Sequence, residues 1–543
     1  MIIKMIHVVT SEEMKNIDRA AIAGDLNKGF QYMQQAARGL FDIIINRYLE
    51  LQKQNRQIFI TVFAGKGNNG GDGILLAAYL ASEGYPVKCF ILGSSKDLKN
   101  EAAMAYIELE KNNRNNQYIV FINDPRDIIF IQNHLESLGE YNHHFFVDAL
   151  LGIGSKGTPK EPHATVINYI NSIANSNITI FAVDGPSGVD HDTGALSPVA
   201  IRAHNTITMG YPKLGSFFYP GRVNYGLTIV NNLGYPVELY RTEIKNNIYF
   251  ANSIKALIPP RITNGSKYDH GVAALIAGSQ GMTGAASLAA LAAYRAGLGL
   301  LHLISDEESL KTISTNILEI VSHNIDDLDL YKNLIKKHVS VFALGPGLSS
   351  SHDDLVQDLV INFNLPMILD ADAINTWANN TKKLKQHKHD LLITPHAGEY
   401  ERLFGKLPGD IKPLDLIQEL RMKAQDYSVT ILYKGTPTII LDPNGKAFIV
   451  PYGNSGLAKA GSGDVLTGLI TGLAAQIYTI KSKYPEIRFF YEEFNISALT
   501  QAAILGSFLH GKCAELAAKE LTEYSIMASD LIRFIPRAIK QMN

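Results

Sequence analysis

The sequence predicts a two-domain α/β protein built on mostly parallel sheets. First, 543 residues are too many for one ordinary hydrophobic core, so two or more domains are expected. Second, short β-branched runs alternate with helical patterns along both halves of the chain, as in sheets covered by helices on both faces. Third, several of these strands end in glycine-rich or polar turns, and ligands of such sheets bind beyond the carboxyl ends of the strands.

Composition argues against several classes of protein. The apolar content of 46% and the charged content of 19% are typical of globular proteins, and a net charge of −2 gives no sign of binding to nucleic acid or to a membrane. Cys89 and Cys513 form no metal-binding spacing or disulfide framework, which favours a reducing compartment, and we expect the cytoplasm. The N-terminal apolar run is too short for a signal peptide. The stretch Ala285–Ile304 carries Arg295, so we interpret it as a buried helix and a strand.

The first half opens with helices and then a strand that ends in a glycine turn. Thr10 or Ser11 caps a helix, and a second helical pattern runs roughly over Tyr32–Leu51. Ile58–Ala64 is the first clear strand, and it leads through the run GKGNNGGDG into a helix that continues to Leu80. Strand, glycine turn and helix in this order open many phosphate- or nucleotide-binding units.

The glycine turn matches the dinucleotide fingerprint only in part. Gly65, Gly67 and Gly70 have the G-x-G-x-x-G spacing, but a dinucleotide fold also places an acid at the end of the next strand to hold the ribose. That strand, Val87–Leu92, is followed by a glycine and two serines. An ordinary hydride-transferring Rossmann protein is therefore less favoured.

Oxygen-bearing side chains follow three strands of this half. Asn69 lies in the turn after the first strand, Asp148 follows His144–Val147, and Ser187 follows Ile178–Val183. The carboxyl ends of parallel strands meet at one edge of the sheet, so the three oxygens could together hold a hard cation. Each residue alone could instead be a helix cap or a turn residue.

Over roughly Met5–Tyr240 the chain resembles the NAD(P)H-hydrate epimerases, which are also called the YjeF N-terminal domain. Three motifs carry the resemblance: GKGNNGGDG, FVDALLGIGSKG and VDGPSGVDHDTG. The resemblance implies a Rossmann-like three-layer sandwich at residues 1–240 and a potassium ion on Asn69, Asp148 and Ser187. It also implies that Asp184 handles the proton. The implied contacts of the substrate are Asn68, Asn69, Gly70, Gly71, Asp72, Gly152, Ile153, Gly154, Ser155, Lys156, Gly157, Thr158 and Asp184.

Two features of the first half depart from the family pattern. Gly185 stands where relatives carry isoleucine or a similar apolar residue before Pro-Ser-Gly. The run YMQQAARG at 32–39 replaces a helix that usually resembles LMENAG. This chain therefore lacks the glutamate and asparagine of LMENAG, and their absence alters either a wall of the site or a dimer contact.

The second half repeats the pattern of strands with polar tips after a linker expected between Leu233 and Asn252. Strands at 272–277, 341–344, 367–369, 391–393 and 429–433 each end in glycine or polar residues, and a hairpin turns at Asp442–Gly445.

The most informative stretch of the chain is GNSGLAKAGSGDVLTGLI at 453–470. A glycine-rich loop runs into an apolar helix that begins near Asp464. Gly461 and Gly463 can take positive φ, and the free N–H groups at the helix start form an anion site that suits phosphate. A carboxylate beside such a site suits a base that takes a proton from an attacking hydroxyl, although Asp464 could be only an N-cap.

Seven motifs of the second half resemble the ribokinase-like superfamily. In chain order they are KYDHG, AGSQGMTGAA, GPGL, LDADAIN, TPHAGE, KGTPT and NSGLAKAGSGDVLTGL. Within it they resemble the ADP- or ATP-dependent NAD(P)H-hydrate dehydratases, the YjeF C-terminal domain. The resemblance implies a ribokinase-like α/β domain at 241–543 in which phosphoryl transfer activates the ring hydroxyl, which then leaves.

The same resemblance implies roles for individual residues. Asp464 would be the base, Gly463 would lie in the anion hole, and Mg²⁺ would travel with the nucleotide. Gly347 and His396 would contact the hydrated cofactor. The implied contacts of the adenine nucleotide are Lys434, Gly435, Thr436, Pro437, Thr438 and Gly463. Without the motifs, His396 could be a core histidine and Lys434 a solvated loop charge.

The glycine loop departs from the family's G-N-P-G-M-A-T-G-G-T-G-D at Ser455, Lys459, Ala460 and Ser462. Lys459 could add a cation near the phosphates or point to solvent. The segment Gln476–Asn495 is longer than in most relatives, and we assign it no role.

The two halves together predict a bifunctional cofactor-repair enzyme. A hydrated nicotinamide cofactor exists as two epimers, and a dehydratase that accepts only one needs the other converted. The predicted substrates are NADHX and NADPHX, and the predicted co-substrate is ADP or ATP, with fused bacterial relatives favouring ADP. We expect a homo-oligomer that binds neither nucleic acid nor membrane.

Two alternatives stay open from the sequence. One is a ribokinase-type small-molecule kinase with an N-terminal nucleotide-binding module. The other is a non-enzymatic module that binds a nucleotide or an RNA-linked partner through the same pocket.

Overall fold

The structure is a computed structural model that describes residues 5–112, 117–251, 254, 257–327, 331, 333–334, 338–484, 486–487 and 495–542. The chain divides into two compact units. The first unit is His7–Asn247, and the second comprises Met1–Ile6 and Ile248–Asn543. Residues 485 and 488–494 of the segment without an assigned role, and Asn252 at the end of the expected linker, lie outside the described residues.

The described residues form two sheets, and the larger one, with eleven strands, belongs to the second unit. The first strand, β1 (Met5–His7), lies at one edge of this larger sheet. The sequence had assigned Met5 to the first domain. Its neighbour is β9 (Ile248–Ala251), and the pairing gives the backbone groups of that strand a second partner.

The first unit is built on a seven-stranded parallel sheet in the order β4-β3-β2-β5-β6-β7-β8. From β2 the chain moves outward to β4, then returns to β5 and proceeds in the opposite direction. The sheet therefore has a switch point between β2 and β5, where folds of this kind bind ligands. The strands are β2 (Ile58–Ala64), β3 (Val87–Leu92), β4 (Ile119–Ile122), β5 (His143–Ala149), β6 (Ile178–Val183), β7 (Asn205–Met209) and β8 (Leu227–Asn231).

The helices of the first unit are α1 (Ser11–Ile22), α2 (Leu26–Gln52), α3 (Asn68–Ser82), α4 (Asn100–Asn112), α5 (Ile128–Glu136), α6 (His163–Ile173), α7 (Gly221–Tyr225) and α8 (Val237–Glu243). Helices α2, α3 and α4 pack on one another, whereas α5 and α6 contribute to a core cluster with Phe63 and Phe146 of the sheet. Right-handed crossovers in the two directions place these groups on opposite faces, which gives three layers. Helix α2 begins earlier than predicted because the Asp25 side chain caps it, accepting from the N–H groups of Asn27 and Lys28.

The second unit is built on an eleven-stranded sheet in the order β1-β9-β18-β17-β16-β15-β14-β13-β10-β11-β12. Neighbours from β12 to β16 are parallel, and β16, β17 and β18 are antiparallel, with the predicted hairpin turn between the last two. Its remaining strands are β10 (Val272–Ile276), β11 (Leu300–Ser305), β12 (Val321–Asn324), β13 (Val341–Leu344), β14 (Met367–Leu369), β15 (Leu391–Ile393), β16 (Thr430–Tyr433), β17 (Thr438–Leu441) and β18 (Ala447–Val450).

A long buried helix is central to the core of the second unit. The helices of this unit are α9 (Thr283–Arg295), α10 (Glu307–Asn316), α11 (Asp353–Asn362), α12 (Asp372–Asn375), α13 (Ala397–Phe404), α14 (Pro413–Tyr427), α15 (Ser462–Lys483), α16 (Ala498–Ser525) and α17 (Ala528–Met542). Helix α15 is buried along most of its length and packs on α9 and α16. A Cβ at Gly468 would lie 2.1 Å from the carbonyl oxygen of Ala289, so glycine permits this close approach. Within the part of the chain that the structure describes, no helix is long and apolar enough to cross a membrane.

Two candidate active sites

A cavity of about 510 Å³ lies in the first unit beyond the ends of β2, β5 and β6. Nine of the predicted substrate residues line it, namely Asn68, Asn69, Gly70, Asp72, Gly152, Ile153, Gly154, Ser155 and Asp184. Gly71 does not line the cavity. A Cβ at Gly71 would lie 2.5 Å from Cε of Met33, so this glycine permits α3 to pack closely on α2.

The other predicted substrate residues line a second cavity of about 330 Å³. These are Lys156, Gly157 and Thr158, and Asp190 and His191 also line it. The two cavities share Leu151, Gly152 and Ser155 of the loop that follows β5. The predicted substrate residues therefore fall into two neighbouring groups.

Asp184 lies at the end of β6 with an ammonium group against it. The side chain of Lys213 is fully buried, and its Nζ donates to Oδ1 of Asp184, to Oγ1 of Thr208 (3.1 Å) and to the carbonyl of Met209 (3.0 Å). The N–H of Met209 donates to the same carboxylate oxygen at 2.9 Å. Asp184 has a φ of +64°, a left-handed conformation that side chains other than glycine rarely adopt. Sequence reasoning missed Lys213 because it follows β7, a strand that was not predicted.

The structure brings together the three residues predicted to bind a cation. The hydroxyl of Ser187 donates to Oδ1 of Asp148 at 2.6 Å and accepts from the N–H of Leu151 at 3.0 Å. The amide of Asn69 donates to the carbonyl of the same leucine at 3.1 Å, which leaves its Oδ1 buried without a partner among the described residues. One buried carboxylate, one hydroxyl and one unpaired amide oxygen thus lie close together.

The electrostatics of Asp148 also fit a cation. Burial raises the pKa of Asp148 to about 6. Three hydrogen bonds from Ser187 and Leu150 act to lower the pKa, but burial has the larger effect. No lysine or arginine of the described residues forms an ion pair with it. A bound cation would supply the missing positive charge, and oxygen ligands suit a hard ion.

The departure at Gly185 has a structural explanation. A Cβ at this position would lie 2.2 Å from Cε1 of His191 and 3.1 Å from the hydroxyl of Tyr225. These two side chains are buried and hydrogen-bonded to each other at 2.5 Å. Burial lowers the pKa of His191 to about 4, so the imidazole is neutral. His191 and Tyr225 occupy the space into which a larger residue at 185 would extend.

In the second unit, Asp464 lies in the first turn of α15, as predicted. The residue before the helix, Gly461, has a φ of +86°, which glycine adopts without strain. Burial and then Asp370 raise the pKa of Asp464 to about 6, and Lys434 opposes this shift. The carboxyl is therefore deprotonated near neutral pH and lies within electrostatic reach of the Lys434 cation.

Lys434 is held between two carboxylates and is not a solvated loop charge. Its Nζ lies 2.8 Å from Oδ1 of Asp370 and 3.6 Å from Oε2 of Glu399. Although burial acts to lower it, the pKa of Lys434 is raised by Asp370 and Glu399. Asp370 also accepts from the hydroxyls of Thr394 (2.7 Å) and Thr467 (2.6 Å). Gly435, Thr436, Pro437 and Thr438 follow Lys434 and lead into β17.

The predicted contacts of the hydrated cofactor lie at turns of the same unit. His396 caps α13, since its Nδ1 accepts from the N–H groups of Gly398 (3.0 Å) and Glu399 (3.3 Å). Its side chain is 54% exposed, so it is not a core histidine. Gly347 has a φ of +62°, and its carbonyl accepts from the hydroxyl of Ser279 at 2.9 Å. A Cβ at Gly463 would have Nζ of Lys434 as its nearest neighbour, 3.8 Å away.

Three altered residues of the glycine loop contact α16. The hydroxyl of Ser455 donates to Glu523 at 2.5 Å, and Nζ of Lys459 donates to the carbonyl of Tyr524 at 2.8 Å. The hydroxyl of Ser462 lies 3.1 Å from Nε2 of His510, a residue that the sequence did not single out. Burial lowers the pKa of His510 to about 4, so it is a neutral partner.

Comparison with known proteins identifies the family. A family model described as NAD(P)H-hydrate dehydratase matches residues 273–537, and one described as YjeF-related protein N-terminus matches residues 29–215. The chain is 33% identical to the bifunctional NAD(P)H-hydrate repair enzyme Nnr of Moorella thermoacetica, over 99% of this chain and 97% of that enzyme. The chain belongs to the bifunctional NAD(P)H-hydrate repair enzymes.

Two further relatives have names of the same kind. The NAD(P)H-hydrate repair enzyme of Coxiella burnetii is 30% identical over 96% of this chain and 97% of its own length. The crystal structure of an ADP/ATP-dependent NAD(P)H-hydrate dehydratase from Bacillus subtilis, co-crystallised with ATP/Mg²⁺, is 29% identical. It covers 53% of this chain and 96% of its own, with a TM-score of 0.43.

As a NAD(P)H-hydrate repair enzyme, the chain has an N-terminal epimerase domain and a C-terminal dehydratase domain. The predicted family, fold class and pair of activities are confirmed. The hypotheses of a small-molecule kinase and of a non-enzymatic binding module are thereby set aside.

Proposed function

We propose that Asp464 is the base of the dehydratase and that Asp184 handles the proton in the epimerase, each acting on NADHX or NADPHX. The observation that carries this proposal is the position of Asp464, a half-buried carboxylate in the first turn of α15 within electrostatic reach of Lys434. Asp184, beside Lys213 on the wall of the first cavity, is the corresponding group of the other unit.

In the dehydratase, the hydroxyl of the hydrated ring would give its proton to Asp464 and attack the terminal phosphate of ADP or ATP. The N–H groups of Gly463 and Asp464 at the helix start would stabilise the phosphoryl group in transfer. Lys434, held by Asp370 and Glu399, would contact the nucleotide along with residues 435–438. Phosphate would then leave the ring carbon with the electrons of the C–O bond. Solvent would take a proton from the neighbouring ring carbon, and the electrons of that C–H bond would restore the double bond.

Magnesium would reach this site with the nucleotide. Among the described residues, no group of three or more His, Cys, Asp or Glu side chains could hold a metal ion. Mg²⁺ commonly binds through phosphate oxygens, which fits this arrangement. When bound, it would neutralise part of the charge on the phosphates.

Potassium would be held in the first unit by Oδ1 of Asn69 together with Asp148 and Ser187. The unpaired amide oxygen and the buried carboxylate support this assignment. The ion would supply positive charge beside Asp148 and so fix the loop after β5.

We expect exchange of K⁺ for Li⁺ to slow epimerisation and lower the melting temperature of the first unit, because a ligand that binds only the folded state stabilises it.

Dehydration of the purified S epimer tests the assignment of Asp464. With Mg²⁺ and ADP or ATP, the wild-type chain should form NADH and inorganic phosphate, and Asp464→Asn should be slower by roughly 10²–10⁴-fold, the usual loss on removing a general base. A stable phosphorylated product would contradict the proposal.

Comparison of kcat/KM for the two nucleotides tests the predicted preference for ADP, and light scattering tests the predicted homo-oligomer.

A further inference from the structure

Four carboxyl groups of the described residues line the first cavity, those of Asp18, Asp72, Glu101 and Asp184. Asp184 pairs with Lys213 and accepts from the backbone of Met209. Asp18 accepts a 2.5 Å hydrogen bond from the hydroxyl of Tyr235. Asp72, in the second turn of α3, has no hydrogen-bond or ion-pair partner among the described residues, although it lines the same cavity. Asp72, unlike Asp18 and Asp184, keeps its full bonding capacity for a ligand.

The charges around the cavity favour a proton on Asp72. Burial raises the pKa of Asp72 well above its ordinary value, and the negative charges of Asp184 and Asp18 raise it further. Burial also raises the pKa of Asp18, but the hydrogen bond from Tyr235 and the charge of Lys213 oppose that shift. Asp184, in contrast, is paired with the buried ammonium group of Lys213. Asp72 and Asp184 therefore have the contrasting surroundings that are usual for an acid and a base in one site.

Epimerisation at the hydroxyl-bearing carbon needs both an acid and a base. This carbon is next to the ring nitrogen, whose lone pair can expel the hydroxyl and form a C=N⁺ bond. Hydroxide is a poor leaving group, so an acid must protonate the oxygen as the C–O bond breaks. Water must then add to the other face of the planar carbon, and a base must take its extra proton.

We propose that Asp72 is the general acid of the epimerase and that Asp184 is the base on the opposite face of the ring. This inference rests on the proposed function of Asp184. The carboxyl of Asp72 protonates the hydroxyl, the C–O bond breaks, and water leaves. A water molecule adds from the side of Asp184, which accepts one proton, and the epimeric alcohol forms. Asp72 and Asp184 then regain their starting protonation states by exchange with solvent.

The test uses the full chain and the purified R epimer, with ADP or ATP and Mg²⁺, and follows the formation of NADH. Asp72→Asn should lower kcat for the R epimer by at least about 100-fold, while KM changes by less than about threefold. Repair of the S epimer by the same variant should be unchanged, because that reaction occurs in the second unit. Asp42→Asn, an equivalent change at an exposed residue of α2, is the control and should behave as wild type.

A conservative variant separates catalysis from packing. Asp72→Glu keeps an acid but adds a methylene, so it should be at least about tenfold faster than Asp72→Asn if a proton must be donated. If Asp72 only fills space, the isosteric Asp72→Asn would be the faster of the two. If it only binds substrate, KM would rise while kcat is kept. Either result would overturn the proposal.

The outcome also separates this inference from the proposed function. If the wild-type chain converts the R epimer no faster than it epimerises spontaneously, the proposed function of the first unit fails. If the wild type is active and Asp184→Asn is inactive, but Asp72→Asn keeps its activity, only the role of Asp72 fails.

Discussion

Both sites depend on charged side chains whose partners are distant in the sequence. Lys213 pairs with Asp184 in the first unit, and Lys434 pairs with Asp370 in the second. A buried charge that loses its partner costs several kcal/mol, whereas the intact pair adds little to stability. Each pair therefore fixes the geometry of its site more than it stabilises the fold.

Replacing Lys213 should destabilise the first unit. Lys213→Met leaves Asp184 without its charged partner, so the free energy of unfolding of this unit should fall by about 3–5 kcal/mol. Urea unfolding followed by far-UV circular dichroism measures the loss. Trp377, the single tryptophan of the sequence, is buried in the second unit, and its fluorescence transition should not move.

The double variant Lys213→Met/Asp184→Asn is the control for this pair. Removing both charges should recover part of the lost free energy, because no uncompensated carboxylate remains. Equal stability of Lys213→Met and the wild type would contradict the pairing.

Dehydration should depend on an ionisation near pH 6. The pKa of Asp464 is raised to about 6 by burial, Asp370 and Asp372. A base acts only when it is deprotonated, so kcat/KM for the S epimer should rise as pH increases through about 6 and then level off. Asp372→Asn removes one negative neighbour and should move this rise to lower pH. The exposed Asp358→Asn should leave the profile in place, and a shift of Asp372→Asn to higher pH would contradict the assignment.

At the scale of elements, strong local patterns predicted the fold well. Strands β2, β3 and β6 have the predicted bounds, because β-branched and aromatic runs are flanked by turn residues. Strands β7 and β12 were missed, since NTITM and VSHN are short and carry polar residues. Their strand conformation depends on pairing with neighbours in the sheet. The explanation of Gly185 also depends on the folded chain. The sequence shows that glycine replaces the family's apolar residue, but it does not show that His191 lies beside this position.

Helix α15 should tolerate no side chain where it crosses α9. Gly468→Ala would normally favour a helix by about 1 kcal/mol. Here the added Cβ would meet the carbonyl of Ala289 at 2.1 Å, and overpacking of this kind costs about 1–3 kcal/mol. We therefore expect a lower melting temperature by Trp377 fluorescence. Gly284→Ala in α9, where a Cβ would meet nothing within 4 Å, is the matched control and should melt no lower than the wild type.

At the scale of the whole molecule, each unit has its own sheet and its own candidate site at the carboxyl ends of the strands. The resemblance of the sequence motifs to a known family was sufficient to predict both activities. Several of these motifs follow strands, and the strand order brings them together at one edge of each sheet. The partners that complete each site were not predictable in the same way. Lys213 and His510 lie in segments without a motif, and only the folded chain places them next to motif residues.

The most direct test of two separate reactions on one chain measures NADH formation from each purified epimer. Wild type, Asp184→Asn, Asp464→Asn and an equal mixture of the two variants are compared with Mg²⁺, K⁺ and ADP or ATP. We predict that Asp184→Asn repairs only the S epimer, that Asp464→Asn repairs neither, and that the mixture repairs the R epimer again. Rapid repair of the R epimer by Asp184→Asn alone, or of the S epimer by Asp464→Asn alone, would contradict the account.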